Sequence, residues 1–288
     1  MAHVILTTFT DPMMGLSYEH EPVMRQLETH FGGQIEFRTV MALLVRDVHD
    51  FMTPQERACE LLERFRRYNA RLALIYQSEE RIGGLPIVMD GFALFAPERP
   101  SSLPLCLACK AVSLLAPERA EAFLYRLRYA VVVETRAATR LDELVRVAAL
   151  TGLDKADFLH AYHSAAAHRA LEDDLRLTAG LGVRSLPATL VRCGEKALLL
   201  SGMSDFYDHA EAVARVCDGR VVPHRPAYSQ DALLSLLDRH PLMSSQELCA
   251  AFGLDEATAR AEVRLLEERG QLSTVEVPRG WFIKKKEN

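Results

Sequence analysis

The sequence predicts an α/β protein with a long helical insert and a small C-terminal module. Three observations carry that prediction. A β-branched run, a helical segment and a second apolar run follow one another within about 40 residues, which is a βαβ unit. A long series of amphipathic segments comes next, broken only by short turn signals. Two further strand-like runs and a helix then complete a ββα order near residue 218, after which the composition changes.

The first strand is "HVILTTF", residues 3–9. "SYEHEPVMRQLETHFGG" follows as a helix whose apolar face carries Val23, Met24, Leu27 and Phe31, stopped by Gly32 and Gly33. Pro22 predicts a kink or a late start in it. "QIEFRTVMALLV" is the second strand, parallel to the first because a helical crossover joins them. The insert, about residues 53–180, opens with the capping pair Thr53 and Glu56. Its helical runs are "TPQERACELLERFRRYNARLA", "PLCLACKAVSLL", "PERAEAFLYRLRYAVVVE", "RLDELVRVAALTG" and "KADFLHAYHSAAAHRALEDDLRLTAGLG". "VRSLPATLVRCGEKALLLSG" reads as a hairpin turning at Cys193-Gly194-Glu195-Lys196, and "SDFYDHAEAVARVC" as a helix capped by Ser204. "GRVVPHRP", within residues 219–227, is a proline-rich linker to a module spanning 228–288.

The 288 residues are 49% hydrophobic and 25% charged, with net charge −5, so the chain as a whole has no generic attraction for nucleic acid or acidic membranes. No apolar run approaches the ~20 residues that cross a bilayer, and no secretion signal is read at the start. Cys59, Cys106, Cys109, Cys193, Cys217 and Cys249 are scattered, as expected for reduced, mostly buried thiols of a cytoplasmic protein.

The order βαβ, helical insert, ββα is that of a thioredoxin fold with helices between its halves. "FTDPM" followed by "YEHEP", with "IEFRTVMALLV", "GVRSLPATLV" and "FLYRLRYAVVVETRA", resembles the DsbA family of that superfamily over roughly residues 3–217, in particular its cytosolic dithiol isomerase-like branch. The resemblance implies a cis proline at Pro187 facing the turn before the first helix. It also implies a Cys-x-x-Cys pair at the positions held here by Met14 and Ser17. A thioether cannot ionise, and a serine hydroxyl cannot resolve a mixed disulfide, so dithiol exchange at this turn is excluded. The rest of the cleft, Met14, Gly15, Leu16, Ser17, Tyr18, Leu186 and Pro187, is expected to bind an extended peptide or a thiol ligand.

Two roles for Ser17 stand. In one it holds a thiolate, as the similar kappa-class glutathione transferases and 2-hydroxychromene-2-carboxylate isomerases imply, although their serine falls at the Met14 position; His20, three residues on, would activate it. In the other Ser17 caps the helix. Glutathione or another thiol is the ligand the first role implies, and no cofactor is otherwise expected. Cys106 and Cys109 in "PLCLACK" form a second Cys-x-x-Cys, read as core packing. His160, His163 and His168 share one predicted helix but lack a fourth ligand at suitable spacing, so a solvated face is expected and no metal site.

The tail resembles a winged helix-turn-helix domain, with Leu248, Ala251, Phe252 and Leu254 as its core and Val263, Leu265 and Leu266 on the third helix. That helix opens with Asp255 and Glu256, and residues 225–288 hold nine Lys/Arg against ten Asp/Glu. Such a module suits protein contact or homodimerisation better than DNA. The expected function is a non-redox protein that binds a partner or ligand, with DsbA-like adaptors of regulated degradation as the precedent the resemblance supplies. A glutathione-dependent enzyme using Ser17 and a winged-helix regulator with a thioredoxin-like sensor are the alternatives.

Overall fold

A computed structural model describes residues 3–286. Four strands form one mixed sheet in the order β2-β1-β3-β4. β1 (Val4–Thr10) lies parallel to β2 (Ile35–Met41) and antiparallel to β3 (Ala188–Cys193), which pairs with β4 (Lys196–Ser201). The crossover between β1 and β2 holds two helices, α1 (Gly15–Glu19) and α2 (Glu21–Phe31). The expected single helix breaks at His20 because Pro22, in the first turn of α2, has no N–H to continue the ladder. Gly32 closes α2 with φ +51°, a left-handed conformation suited to glycine.

Helices α3 (Pro54–Arg57), α4 (Leu61–Gly83), α5 (Leu103–Leu115), α6 (Ala120–Val132), α7 (Leu141–Leu150), α8 (Lys155–Tyr162) and α9 (Ala165–Gly180) lie between the halves of the sheet. The Thr53–Glu56 capping box is present, but the helix it starts is only α3; a new helix, α4, begins at Leu61 and runs ten residues past the expected end. The histidine-bearing segment is two helices, not one. Ser164 caps α9 through Ala167 N, so His160, His163 and His168 fall on either side of a turn, all exposed.

The hairpin turns with Gly194 at φ +58°, and α10 (Phe206–Cys217) packs Val213, Val216 and Cys217 against Val4, Leu6 and Val191 on one face of the sheet. Asp205, not Ser204, caps α10, in a reciprocal pair with Asp208. A carboxylate at that position accepts the N–H and also complements the helix dipole.

The C-terminal residues build α11 (Gln230–Arg239), β5 (Leu242–Ser244), α12 (Ser245–Phe252), α13 (Glu256–Glu268), β6 (Leu272–Val277) and β7 (Gly280–Lys285), with strand order β5-β7-β6. Leu248, Ala251, Phe252, Val263 and Leu266 are buried in this module's core, whereas Leu265 is exposed and faces away from it. The module is not tethered by the linker alone. Phe282 belongs to the insert's core and meets Tyr129 edge-on at 4.8 Å. Arg225, in the linker, donates to Phe252 O from Nε and Nη2, at 3.2 and 3.1 Å.

Candidate functional site

The turn after β1 is fixed by Asp11. Its Oδ1 accepts from Met13 N at 3.0 Å, and Oδ2 accepts from Leu44 N at 2.8 Å and Ser102 Oγ at 2.6 Å. Burial raises its carboxyl above the usual range, against these donors. Beyond it, Met14 is the N-cap of α1 and makes no side-chain capping bond.

Where the resemblance places an attacking thiol, the chain is closed. Met14 is 7% exposed. Tyr76 of α4 donates to Met13 O. Glu79, one residue short of a full turn further along α4, puts Oε2 where a side chain on Gly15 would begin, with Tyr76 Cδ1 at 2.5 Å from the same point. That oxygen is buried without a hydrogen-bond partner, and burial pushes the carboxyl up to about 7. Tyr18 is fully buried and donates to Pro86 O at 3.0 Å.

The other side of α1 opens on a cavity of about 360 Å³ between β1, β2, α2, α5 and α6. Ser17, His20 and Pro187 line it, and the Leu186–Pro187 peptide is cis. Met14, Gly15, Leu16, Tyr18 and Leu186 are not among its walls. Ser17 stands inside α1, so it is not the cap; its Oγ accepts from Thr10 Oγ1 at 2.7 Å. His20 pairs with Ser204 O at 2.9 Å and stacks near His209 at 5.3 Å rather than reaching Ser17. Burial, then the neighbouring His209, brings its pKa down to about 4, so the ring is neutral and its Nε2–H donates to Ser204.

Thr10 continues the network. Arg128 of α6 donates from Nη2 to Thr10 Oγ1 at 2.7 Å and from Nη1 to Glu21. Glu21 lies 3.5 Å from Arg25, whose side chain is 2% exposed. Arg25 also meets Glu28 at 2.5 Å, Glu121 at 3.3 Å and Glu247 at 3.4 Å. Glu247 is fully buried at the start of α12; it accepts from Ser244 N at 2.8 Å and from Tyr125 Oη at 2.5 Å. A continuous polar chain thus runs from Ser17 through two buried arginines into the C-terminal module. Sequence reasoning missed Arg128 and Arg25; the visible signal was a charge inside the apolar run "LRYAVVV".

Glu28, Glu121 and His240 place ligand atoms within 4.8 Å of one another. Arg25 Nη1 points among them and contacts His240 Nε2, so a guanidinium already supplies the positive charge that the carboxylates need. Cys106 and Cys109 are buried in the insert's core, and burial drives both thiols upward, with Asp11 beside Cys106 adding to it.

Among the described residues no helix is long and apolar enough to cross a membrane. The family model described as Thioredoxin matches residues 7–207. The ClpXP adapter protein SpxH of Halalkalibacterium halodurans is 23% identical over 278 residues, covering 96% of this chain and 86% of that one. The protein of the same name from Bacillus subtilis is 21% identical, covering 96% and 87%. Among solved structures, a putative protein disulfide isomerase from Nitrosomonas europaea aligns with TM-score 0.59 at 19% identity, over 75% of this chain and 96% of that one. The cytosolic disulfide reductase DsbM of Pseudomonas aeruginosa aligns with TM-score 0.53 at 18% identity, over 82% and 98%. These structural likenesses bear on the fold alone.

Proposed function

We propose that this chain, which belongs to the thioredoxin family matched over residues 7–207, is a non-redox adaptor that uses the thioredoxin cleft to hold a protein partner. One observation carries the reading. The turn that would present a thiol holds Met14 and Ser17 instead, and α4 packs over it, while the cavity beside Ser17 and Pro187 stays open. A site shielded at its reacting position and open at its binding face suits capture rather than exchange. The similarity to relatives named as ClpXP adapters supports the same reading. The C-terminal module, winged-helix-like in its order of elements, then serves protein contact; its recognition-type helix α13 starts with Asp255 and Glu256, which repel phosphate.

The test has two arms. The chain should not accelerate reduction of insulin by dithiothreitol above the blank, nor should Cys106→Ser/Cys109→Ser differ from it; acceleration that survives those changes overturns the non-redox assignment. A photo-crosslinking residue at Arg38, which lines the cavity on β2, should then trap a partner whose ATP-dependent degradation by ClpXP speeds up when the chain is added. A crosslinked partner degraded equally fast without it refutes the adaptor role.

A second reading keeps one support: Ser17 Oγ and Arg128 border the same cavity, an arrangement that would hold a thiol ligand and its carboxylate. A glutathione titration that raises the melting temperature of the wild type, but not of Ser17→Ala, would favour it.

A further inference from the structure

The insert and the C-terminal module enclose a second groove, of about 720 Å³, which shares only Tyr125 with the cleft cavity. Its floor is apolar: Tyr129 of α6, Leu242 of β5 and Val275 of β6, with Leu150 of α7 half exposed at the rim. Its cations are Arg119, Arg126, Arg239, Lys284, Lys285 and Lys286, against the acidic Glu118, Glu134 and Asp238. Four of the cations are engaged. Arg126 meets Glu134 at 2.8 Å, Arg239 reaches Glu28 at 2.7 Å outside the groove, and Lys285 meets Asp238. Arg119 turns its Nη1 to the carbonyls of Thr151 and Gly152, with Glu118 at 3.9 Å. Lys284 and Lys286 are exposed and have no carboxylate partner among the described residues.

We propose that this groove is a second docking surface, which takes an acidic, leucine- or aromatic-bearing peptide segment of a partner protein. Two ammonium groups without a carboxylate partner among the described residues, above an apolar floor, ask for a ligand that supplies carboxylates and apolar side chains at once. An acidic peptide does both. The volume lies in the ~300–1,000 Å³ range that holds a few anchoring side chains, not a folded domain. A nucleic-acid strand fits less well, because Glu118, Glu134 and Asp238 interrupt the positive wall that a phosphate backbone would track. The inference goes beyond the cleft reading. It gives the protein two separate binding faces, which holding one protein while engaging another requires.

Fluorescence anisotropy tests it on the full chain, with a fluorescein-labelled twelve-residue peptide of glutamate, leucine and glycine. The same peptide with lysine for glutamate and a labelled twelve-nucleotide thymidine oligomer are the controls. The acidic peptide should bind, more weakly at higher salt, and Lys284→Glu/Lys286→Glu should lower its affinity at least about tenfold, a loss of ~1.4 kcal/mol. Leu150→Glu, a change at an exposed rim position, should weaken it too and guards against misfolding of the strand variant. Equal binding by wild type and both variants overturns the proposal, and so does tighter binding of the oligonucleotide than of the peptide. The cleft reading is scored separately, by insulin reduction and crosslinking at Arg38, so either can fail without the other.

Discussion

Replacing Arg25 by methionine should cost about 3–5 kcal/mol of folding stability, the usual effect of removing one partner from a buried ion cluster. The substitution keeps most of the side-chain volume but strips the cation from between Glu21, Glu28 and Glu247. Glu247 is the most affected, because its side chain has no exposed surface. Its remaining partners, Ser244 and Tyr125, donate hydrogen bonds but carry no charge. Against a total of roughly 5–15 kcal/mol this is a large fraction, and at ~2–4 °C per kcal/mol the melting temperature should fall by roughly 6–20 °C. Scanning calorimetry and urea unfolding at pH 7 measure it. Adding Glu247→Gln to Arg25→Met removes the orphaned charge while keeping the capping amide, and should recover at least about 1 kcal/mol. A single mutant that loses less than about 1 kcal/mol, with no gain in the double, would show that water or relaxation solvates these carboxylates and that the cluster does not hold the module in place.

Introducing thiols with Met14→Cys/Ser17→Cys should not create insulin reduction, because position 14 is buried, next to the Gly15 backbone on which Tyr76 and Glu79 pack, and burial raises a thiol pKa; turnover near that of a dithiol reductase would refute the shielding argument. Glu19 is held up to about 8 by burial, against the N–H donors of Gly83 and Leu85, so it takes up a proton on folding between its unfolded value of 4.5 and 8. Stability therefore declines as pH rises through that window, and Glu19→Gln should flatten the decline, with the melting temperature at pH 5 and pH 8 as the readout. Ellman's reagent should find the half-buried Cys59, Cys193 and Cys249 in the folded chain, and Cys106, Cys109 and Cys217 only after denaturant. Fast reaction of Cys106 would contradict its burial beside Asp11.

What was legible in the sequence was local. The β-branched strand runs, the Pro22 break, the Thr53–Glu56 cap and the Gly194 turn each depend on neighbours a few residues away, and each is found at its place or within a few residues of it. Capping was read less well: the carboxylate of Asp205 caps α10 ahead of Ser204, and the hydroxyl of Ser164 starts a new helix inside a segment that reads as one. The candidate site was legible only in outline. Ser17, His20 and Pro187 do meet on one cavity, but Arg128 finds Thr10 and Glu21 more than 100 positions away, and Glu247 finds Arg25 across 222. No periodicity announces such pairs. Nor does it announce that α4 lies on the turn, since Glu79 reads as an ordinary solvated acid on a long helix.

The pairing of Val4 with Cys193 joins segments that lie on opposite sides of the whole insert. β1 and β2 are close in sequence and can form early, but the central partner β3 arrives only after the whole insert has been traversed. Closing so long a loop costs entropy that grows as the logarithm of its length. Helices α3–α9 reduce that cost when they collapse first, since a folded insert brings its two ends near one another before the sheet joins them. The stability of the insert thus acts on the rate at which the sheet is completed, and substitutions at its core would be felt as slower folding of the sheet half of the protein.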